Sequence, residues 1–326
     1  MINNTFNRRR LIGGAAGLAA VGALGGTALG TGRAYAADNG HGLTIVSPPP
    51  GDGRLQYYRF RTAEIGWDPA AFVLLPEDYH TSGKRYPVLY WLHGGVQDFR
   101  SQVNDKNLDF MGRTAGKDLI VVFPDGGHAG WYCNPVTSNV GPRNWESFHM
   151  NQLLPWVDQN FRTHAEFNGR AVAGFSMGGH GAIKYAAKYY GHFASVSVHS
   201  GPTSLRRDGG AVVHWANASA AGSDLAGGMV YGAPWDEKRV SMDNAMENVE
   251  RFRGRRVFLS AGTSPEDLFG WANEIQVLAG QREFKAALAK AGIQHEGHEE
   301  GGGHFIRPHL LGKDLDGIVA RLRRAG

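Results

Sequence analysis

Five short apolar runs, at residues 86–92, 119–123, 170–174, 195–199 and 256–261, limit what this chain can fold into more than any other feature, and a sixth at 71–75 precedes them. Gly, Pro or charged residues flank the five. A strand that is apolar along its length has no face to give to water, so such runs belong in a sheet covered on both sides. Between them, segments 145–161, 179–190, 282–291 and 308–324 carry apolar residues at helical spacing. Strand and helix in alternation predict an α/β fold, with a mostly parallel central sheet and helices on both faces. Residues 203–253, rich in Gly, Ala, Asp and Asn, break the alternation and read as an excursion that covers a substrate site.

Residues 1–36 read as a targeting segment. Arg8-Arg9-Arg10 opens a Gly/Ala-rich stretch that ends at Ala34-Tyr35-Ala36, which predicts a twin-arginine-type export signal cleaved after Ala36. A general secretory signal is the alternative, and the stretch is too weakly apolar for a retained membrane anchor. Of 34 basic and 30 acidic residues, Arg8, Arg9, Arg10 and Arg33 lie in this segment with no acid, which leaves 30 of each sign beyond it. That balance offers no footprint for nucleic acid or anionic lipid. Residues 37–53, with Pro48-Pro49-Pro50, read as a flexible lead-in, and residues 54–326 as one catalytic domain. Cys133 is the sole cysteine, so no disulfide forms within the chain, and it reads as a packed thiol.

Gly174-Phe175-Ser176-Met177-Gly178 is a G-x-S-x-G pentapeptide, and its context gives it weight: the run 170–174 precedes it and the helical segment 179–190 follows. A serine on such an elbow takes strained backbone angles, and small neighbours let the turn close while Oγ stays accessible. Ser176 is therefore the expected nucleophile. In a strand-elbow-helix of this kind the acid and then the histidine follow the serine in the chain, which makes His295, His298, His304 and His309 candidate bases. His304 stands out, because Gly301-Gly302-Gly303 lets the backbone come close and Pro308 then starts a helix. His295 and His298 read as solvent-facing strand residues, and their spacing alone is weak support for a metal. The acid is expected beyond the run 256–261, where Glu266, Asp267 and Glu274 stand, and closeness to the strand end favours Asp267. Two N–H groups should face the developing oxyanion: Met177 supplies one, and Gly95 in His93-Gly94-Gly95 the other, with Gly94 as its substitute. His93 reads as a loop-shaping residue. Trp131, Tyr132, Trp145 and Trp271 could stack on a sugar or phenolic ring, or be half-buried packing.

With these residues placed, the span from Tyr57 to Leu311 resembles the esterase superfamily of the α/β-hydrolase fold that contains feruloyl esterases, S-formylglutathione hydrolase and the mycolyltransferases. The resemblance is carried by Leu92-His93-Gly94-Gly95, Asn144-Trp145-Glu146-Ser147-Phe148, Gly174-Phe175-Ser176-Met177-Gly178-Gly179-His180-Gly181 and Gly301-Gly302-Gly303-His304-Phe305. In feruloyl esterases and mycolyltransferases the acid precedes the histidine by roughly thirty residues. Glu274 stands 30 before His304 and Asp267 stands 37 before it, so the resemblance implies Glu274 as the acid and 263–272 as an inserted loop. The mycolyltransferases carry a tryptophan two positions after the histidine, where this chain has Ile306, and the departure favours water as acyl acceptor. The expectation is a secreted serine esterase acting on a small-molecule or glycan-linked ester through an acyl-enzyme, without cofactor or metal. An acyltransferase on the same triad is the alternative. A binding protein on a dead scaffold is less favoured, because it has no use for Ser176 and His304.

Overall fold

The computed structural model describes residues 37–51, 53–265 and 274–323. The export segment expected over 1–36 lies outside the described residues, as do Glu266, Asp267 and Trp271. The described strands are β1 (Thr44–Ile45), β2 (Leu55–Arg61), β3 (Ala70–Leu74), β4 (Val88–Leu92), β5 (Ile120–Pro124), β6 (Arg170–Phe175), β7 (Ser195–His199), β8 (Arg256–Gly262) and β9 (Glu296–Glu300). They form one sheet in the order β1-β2-β3-β5-β4-β6-β7-β8-β9. From β5 to β9 all neighbours are parallel, whereas β1, β2 and β3 add an antiparallel flank.

Every residue of β4, β5, β6 and β7 is buried, the polar Ser195, Ser197 and His199 of β7 through hydrogen bonds to Asp314 and Arg256. Successive side chains point to opposite faces. Accordingly Val88, Tyr90 and Leu92 enter one core cluster, while Leu89 and Trp91 enter the other. β2 alternates buried and exposed residues instead, because it lies toward one flank. β9, Glu296–Glu300, is polar throughout, and charge on an outer strand keeps other chains from pairing with it.

The expectation of a flexible lead-in over 37–53 is corrected. Thr44 and Ile45 pair with Arg61 and Phe60, Leu43 is buried, and the Trp156 indole N–H donates to Asp38 O at 2.8 Å. An apolar Leu43 and a partner strand with free backbone groups suffice to seat this stretch. The helical segment expected over 145–161 forms, but with a π-helical stretch at Phe148–Leu153 in its middle. The segment expected from 282 starts earlier, as the helix Glu274–Lys290. Residues 203–253 hold the helices Arg207–Gly222 and Glu237–Asp243. Chain order runs from β4 outward to β5, then back across β4 to β6. The carboxyl ends of β4 and β6 thus flank the crevice where open α/β sheets bind ligands.

Candidate active site

β6 ends at Phe175, and the helix Met177–Lys188 begins one residue after Ser176. Ser176 has φ 54° and ψ −119°, a left-handed strained backbone. The glycines on either side are steric necessities. A Cβ on Gly178 would lie 2.1 Å from Leu92 O and 2.5 Å from His93 O, and one on Gly174 would lie 2.3 Å from Gly178 O. These are backbone atoms, so the elbow packs main chain against main chain. The Ser176 amide donates to His199 O at 2.9 Å, tying the elbow to β7.

From this elbow Ser176 Oγ stands 2.8 Å from His304 Nε2, and His304 Nδ1 lies 2.6 Å from Glu274 Oε2. Glu274 is 0 % exposed, and Ser176 and His304 are 6 % exposed. Glu274 opens the helix Glu274–Lys290. Its second oxygen, Oε1, accepts from Ser200 Oγ at 2.8 Å and from the Gly262 amide. The buried carboxylate thus meets three donors among the described residues, which offsets its loss of hydration.

The loop that carries His304 is shaped by Arg307. Its buried guanidinium donates to Gly301 O at 3.1 Å, to Glu300 O at 3.3 Å and to Gly302 O and Gly303 O at 3.4 Å. Burial pulls this guanidinium below its usual pKa, with Glu274 and Glu300 pulling it back up. Gly262 has no room for a side chain beneath this loop, since a Cβ there would meet Gly302 O at 2.3 Å. Ile306, two after the histidine, packs into the same core cluster as Phe175. The other candidate bases stand apart: His295 Nδ1 meets Ile293 O, His298 Nε2 meets Glu296, and His309 Nε2 meets Glu300. Among the described residues no cluster of three metal-ligating side chains occurs.

Ser176 and His304 open into a cavity of about 70 Å³, with Gly95, Met177, Trp131 and Trp215 among its lining residues. The Gly95 and Met177 N–H groups have no partner among the described residues, whereas Gly94 N–H donates to Gln97 Oε1 at 2.9 Å. His93 bridges its own loop, with Nδ1 at 2.8 Å from Gly94 O and Nε2 accepting from the Gly126 amide at 2.9 Å. Trp215, Ser219 and Ser223, from the helix Arg207–Gly222 and its end, also line the cavity. The Trp131 indole donates to Ser219 Oγ at 2.9 Å and meets the Trp215 ring edge-on at 5.1 Å. Asp224 accepts from the Ala129 amide at 2.9 Å, a second tie between these loops. Of the four aromatics considered for stacking, Tyr132 and Trp145 are wholly buried core residues and Trp131 only borders the cavity.

Beneath the elbow helix lies a buried ionic cluster. Lys184 Nζ stands 3.0 Å from Glu146 Oε2 and 3.1 Å from Cys133 Sγ, and Lys188 Nζ is 2.8 Å from Glu146 Oε1. Burial alone would raise the Glu146 carboxyl, but Lys184 and Lys188 hold it at about 2. Burial pushes the Cys133 thiol up to about 11, so it is an inert packed thiol. Sequence reasoning passed over Ser200 and Arg307, whereas Trp215 lies in the segment 203–253 expected to cover the site. Arg307 alone had a signal, as a cation three residues after His304 and just before the helix Pro308–Arg321.

Comparison with known proteins sets this geometry in a family. Esterase Rv1288 of Mycobacterium tuberculosis is 63% identical over 295 residues, covering 88% of this chain and 63% of that protein, so the chain spans less than two thirds of this relative. The diacylglycerol acyltransferase/mycolyltransferase Ag85A of Mycobacterium bovis is 27% identical over 201 residues, 59% of this chain and 53% of that protein. The S-formylglutathione hydrolase of Agrobacterium tumefaciens superposes with a TM-score of 0.65 at 17% identity, over 86% of this chain and 99% of that one, which establishes the shared α/β-hydrolase fold. Residues 62–322 match the Esterase family, and the chain belongs to it.

Proposed function

We propose that this protein is a serine esterase that cleaves a carboxylic ester through an acyl-enzyme, with Ser176 as nucleophile, His304 as general base and Glu274 as the acid. The observation that supports this reading is the unbroken line from Ser176 Oγ through the His304 ring to Glu274 Oε2, at 2.8 and 2.6 Å. His304 Nε2 takes the hydroxyl proton as Ser176 Oγ bonds to the ester carbonyl carbon, and Glu274 stabilises the imidazolium that forms. The carbonyl oxygen gains the negative charge, and the Gly95 and Met177 N–H groups are the donors for it. Collapse breaks the ester C–O bond, and the imidazolium returns its proton to the departing alkoxide. Water then repeats the sequence on the acyl-enzyme, releasing the acid and restoring Ser176.

The likeness to Ag85A supports a second reading, in which an alcohol replaces water in the second half. The test is a panel of p-nitrophenyl, feruloyl and acetylated-sugar esters, with and without an added polyol. Wild type should release acid from at least one, and Ser176→Ala should lose about 10⁵-fold or more in kcat with its fold intact. A wild type inert to all of them, or an active Ser176→Ala, would remove the proposal. Acyl-polyol as the main product would favour transfer. Arg8-Arg9-Arg10 and Ala34-Tyr35-Ala36 support action outside the cytoplasm. N-terminal sequencing of exported protein should then start at Ala37.

A further inference from the structure

Phe175 and His199 form the last pair between β6 and β7, so Ser176 and Ser200 are the first residues beyond the ends of two adjacent strands. Both leave their strand in left-handed backbone, with φ 54° and 48°. Glycine would adopt that conformation without strain, and a serine held there calls for a reason in its side chain. Ser200 is 0 % exposed, and its amide donates to Ser260 O at 2.7 Å. Its hydroxyl donates to Glu274 Oε1 at 2.8 Å.

Glu274 needs such a partner because of where it stands in the chain. It lies 12 residues past Gly262, the last residue of β8, so the strand end alone does not set the direction of its carboxylate. Two donors set it instead, the Gly262 amide from the end of β8 and Ser200 Oγ from the end of β7. Oε1 is thereby fixed, and Oε2 is left facing His304 Nδ1. The sheet rung that presents the nucleophile also carries the group that aims the acid.

We propose that Ser200 is a positioning residue that locks the Glu274 carboxylate to the β6–β7 rung bearing Ser176, and so keeps acid, imidazole and nucleophile in line. The inference rests on the triad proposed above. A carboxylate free to rotate about its side chain would spend part of its time with neither oxygen along the His304 Nδ1–H direction, and the imidazolium formed during attack would then lose its counter-charge.

The test compares Ser200→Gly, which removes the hydroxyl and relieves the strained φ, with Ser200→Ala, which removes the hydroxyl and keeps the strain. With a p-nitrophenyl ester, kcat should fall about tenfold in both, with KM within twofold of wild type. The glycine variant should melt no lower than the alanine variant, so lost activity would not track lost stability. In a Glu274→Gln background Ser200→Gly should cost nothing further, because both changes break the same element. Should neither variant fold, Ser200→Cys keeps the shape with a weaker donor and should give a smaller loss in kcat. Full kcat in Ser200→Gly or Ser200→Cys, or an undiminished tenfold loss on top of Glu274→Gln, would overturn the inference. An inert wild type or an active Ser176→Ala would instead overturn the triad itself.

Discussion

Ser176 and Glu274 reach the same histidine from differently built parts of the molecule. The proposed nucleophile stands on β6, one elbow residue and the helix Met177–Lys188, a contiguous stretch whose close contacts are main chain on main chain. The proposed acid stands at the start of the helix Glu274–Lys290, and its carboxylate is held by groups from the ends of β7 and β8 and by the loop after β9. The first part cannot change without disturbing the fold. The second depends on side-chain hydrogen bonds, so it can lose its chemistry while the chain stays folded.

Glu274→Gln should give the largest effect that separates the two. An amide neither fixes the His304 tautomer nor balances the imidazolium, so kcat should fall on the order of a thousandfold or more. The melting temperature should stay within a few degrees, and steady-state kinetics with thermal melts would check both. A comparable loss in melting temperature would show that the acid arm is as structural as the elbow. Gly178→Ala should behave in the opposite way. Its methyl would meet Leu92 O and His93 O, two backbone atoms with nowhere to go, for a loss on the order of 3 kcal/mol or more. Denaturant unfolding would show this, and a near-wild-type midpoint would break the contrast.

Much of the elbow is legible in the sequence, because the features that define it are adjacent along the chain: a strand run, a small-residue turn and a helix. The parallel sheet is equally readable from β4 through β6, whose apolar runs have no polar face, whereas β7 alternates valines with Ser195, Ser197 and His199, a polar face buried against Asp314 and Arg256. β1 and β2 escape that logic, since an alternating strand such as Leu55–Arg61 is patterned by its flank position. The acid arm is hard to read for a physical reason. Local pattern favours Asp267 after β8, and only the spacing shared with relatives selects Glu274, whose carboxylate lies beside His304. Ser200 left no pattern at all, because a left-handed serine is a property of the backbone and not of composition.

Acid titration should also separate the regions. His180, on the elbow helix, and His149, whose Nδ1 lies 3.0 Å from the Tyr185 hydroxyl of that helix, are both pushed by burial from 6.5 down to about 4. Each is neutral in the folded chain and takes a proton more readily once unfolded. Their contribution is therefore full above pH 6.5 and lost as pH falls toward 4, on the order of 3 kcal/mol each. On the acid side, Arg282 and Lys285 hold the half-buried Glu299 carboxyl at about 2, so its smaller contribution survives until pH falls below 4.5. Hydrogen exchange at pH 5 against pH 7 should show protection lost from residues 145–188 before residues 274–300. The reverse order would contradict this assignment.

The smallest effect pairs with Gly178→Ala. Gly280, in the acid helix, has Thr203 Oγ1 at 3.7 Å and Ser204 Cβ at 3.9 Å from where a Cβ would sit, which is ordinary contact. Gly280→Ala should therefore stabilise the protein by about 0.5–1 kcal/mol through helix propensity, with activity unchanged. A destabilised Gly280→Ala would mean that the acid helix packs as tightly as the elbow.

In the proposed mechanism His304 activates Ser176. Treating the protein with a fluorophosphonate and locating the adduct by mass spectrometry tests it most directly. A single adduct on Ser176 is expected, forming at least about a hundredfold more slowly in His304→Ala. An adduct on another residue, or Ser176 labelled at the wild-type rate without His304, would contradict it.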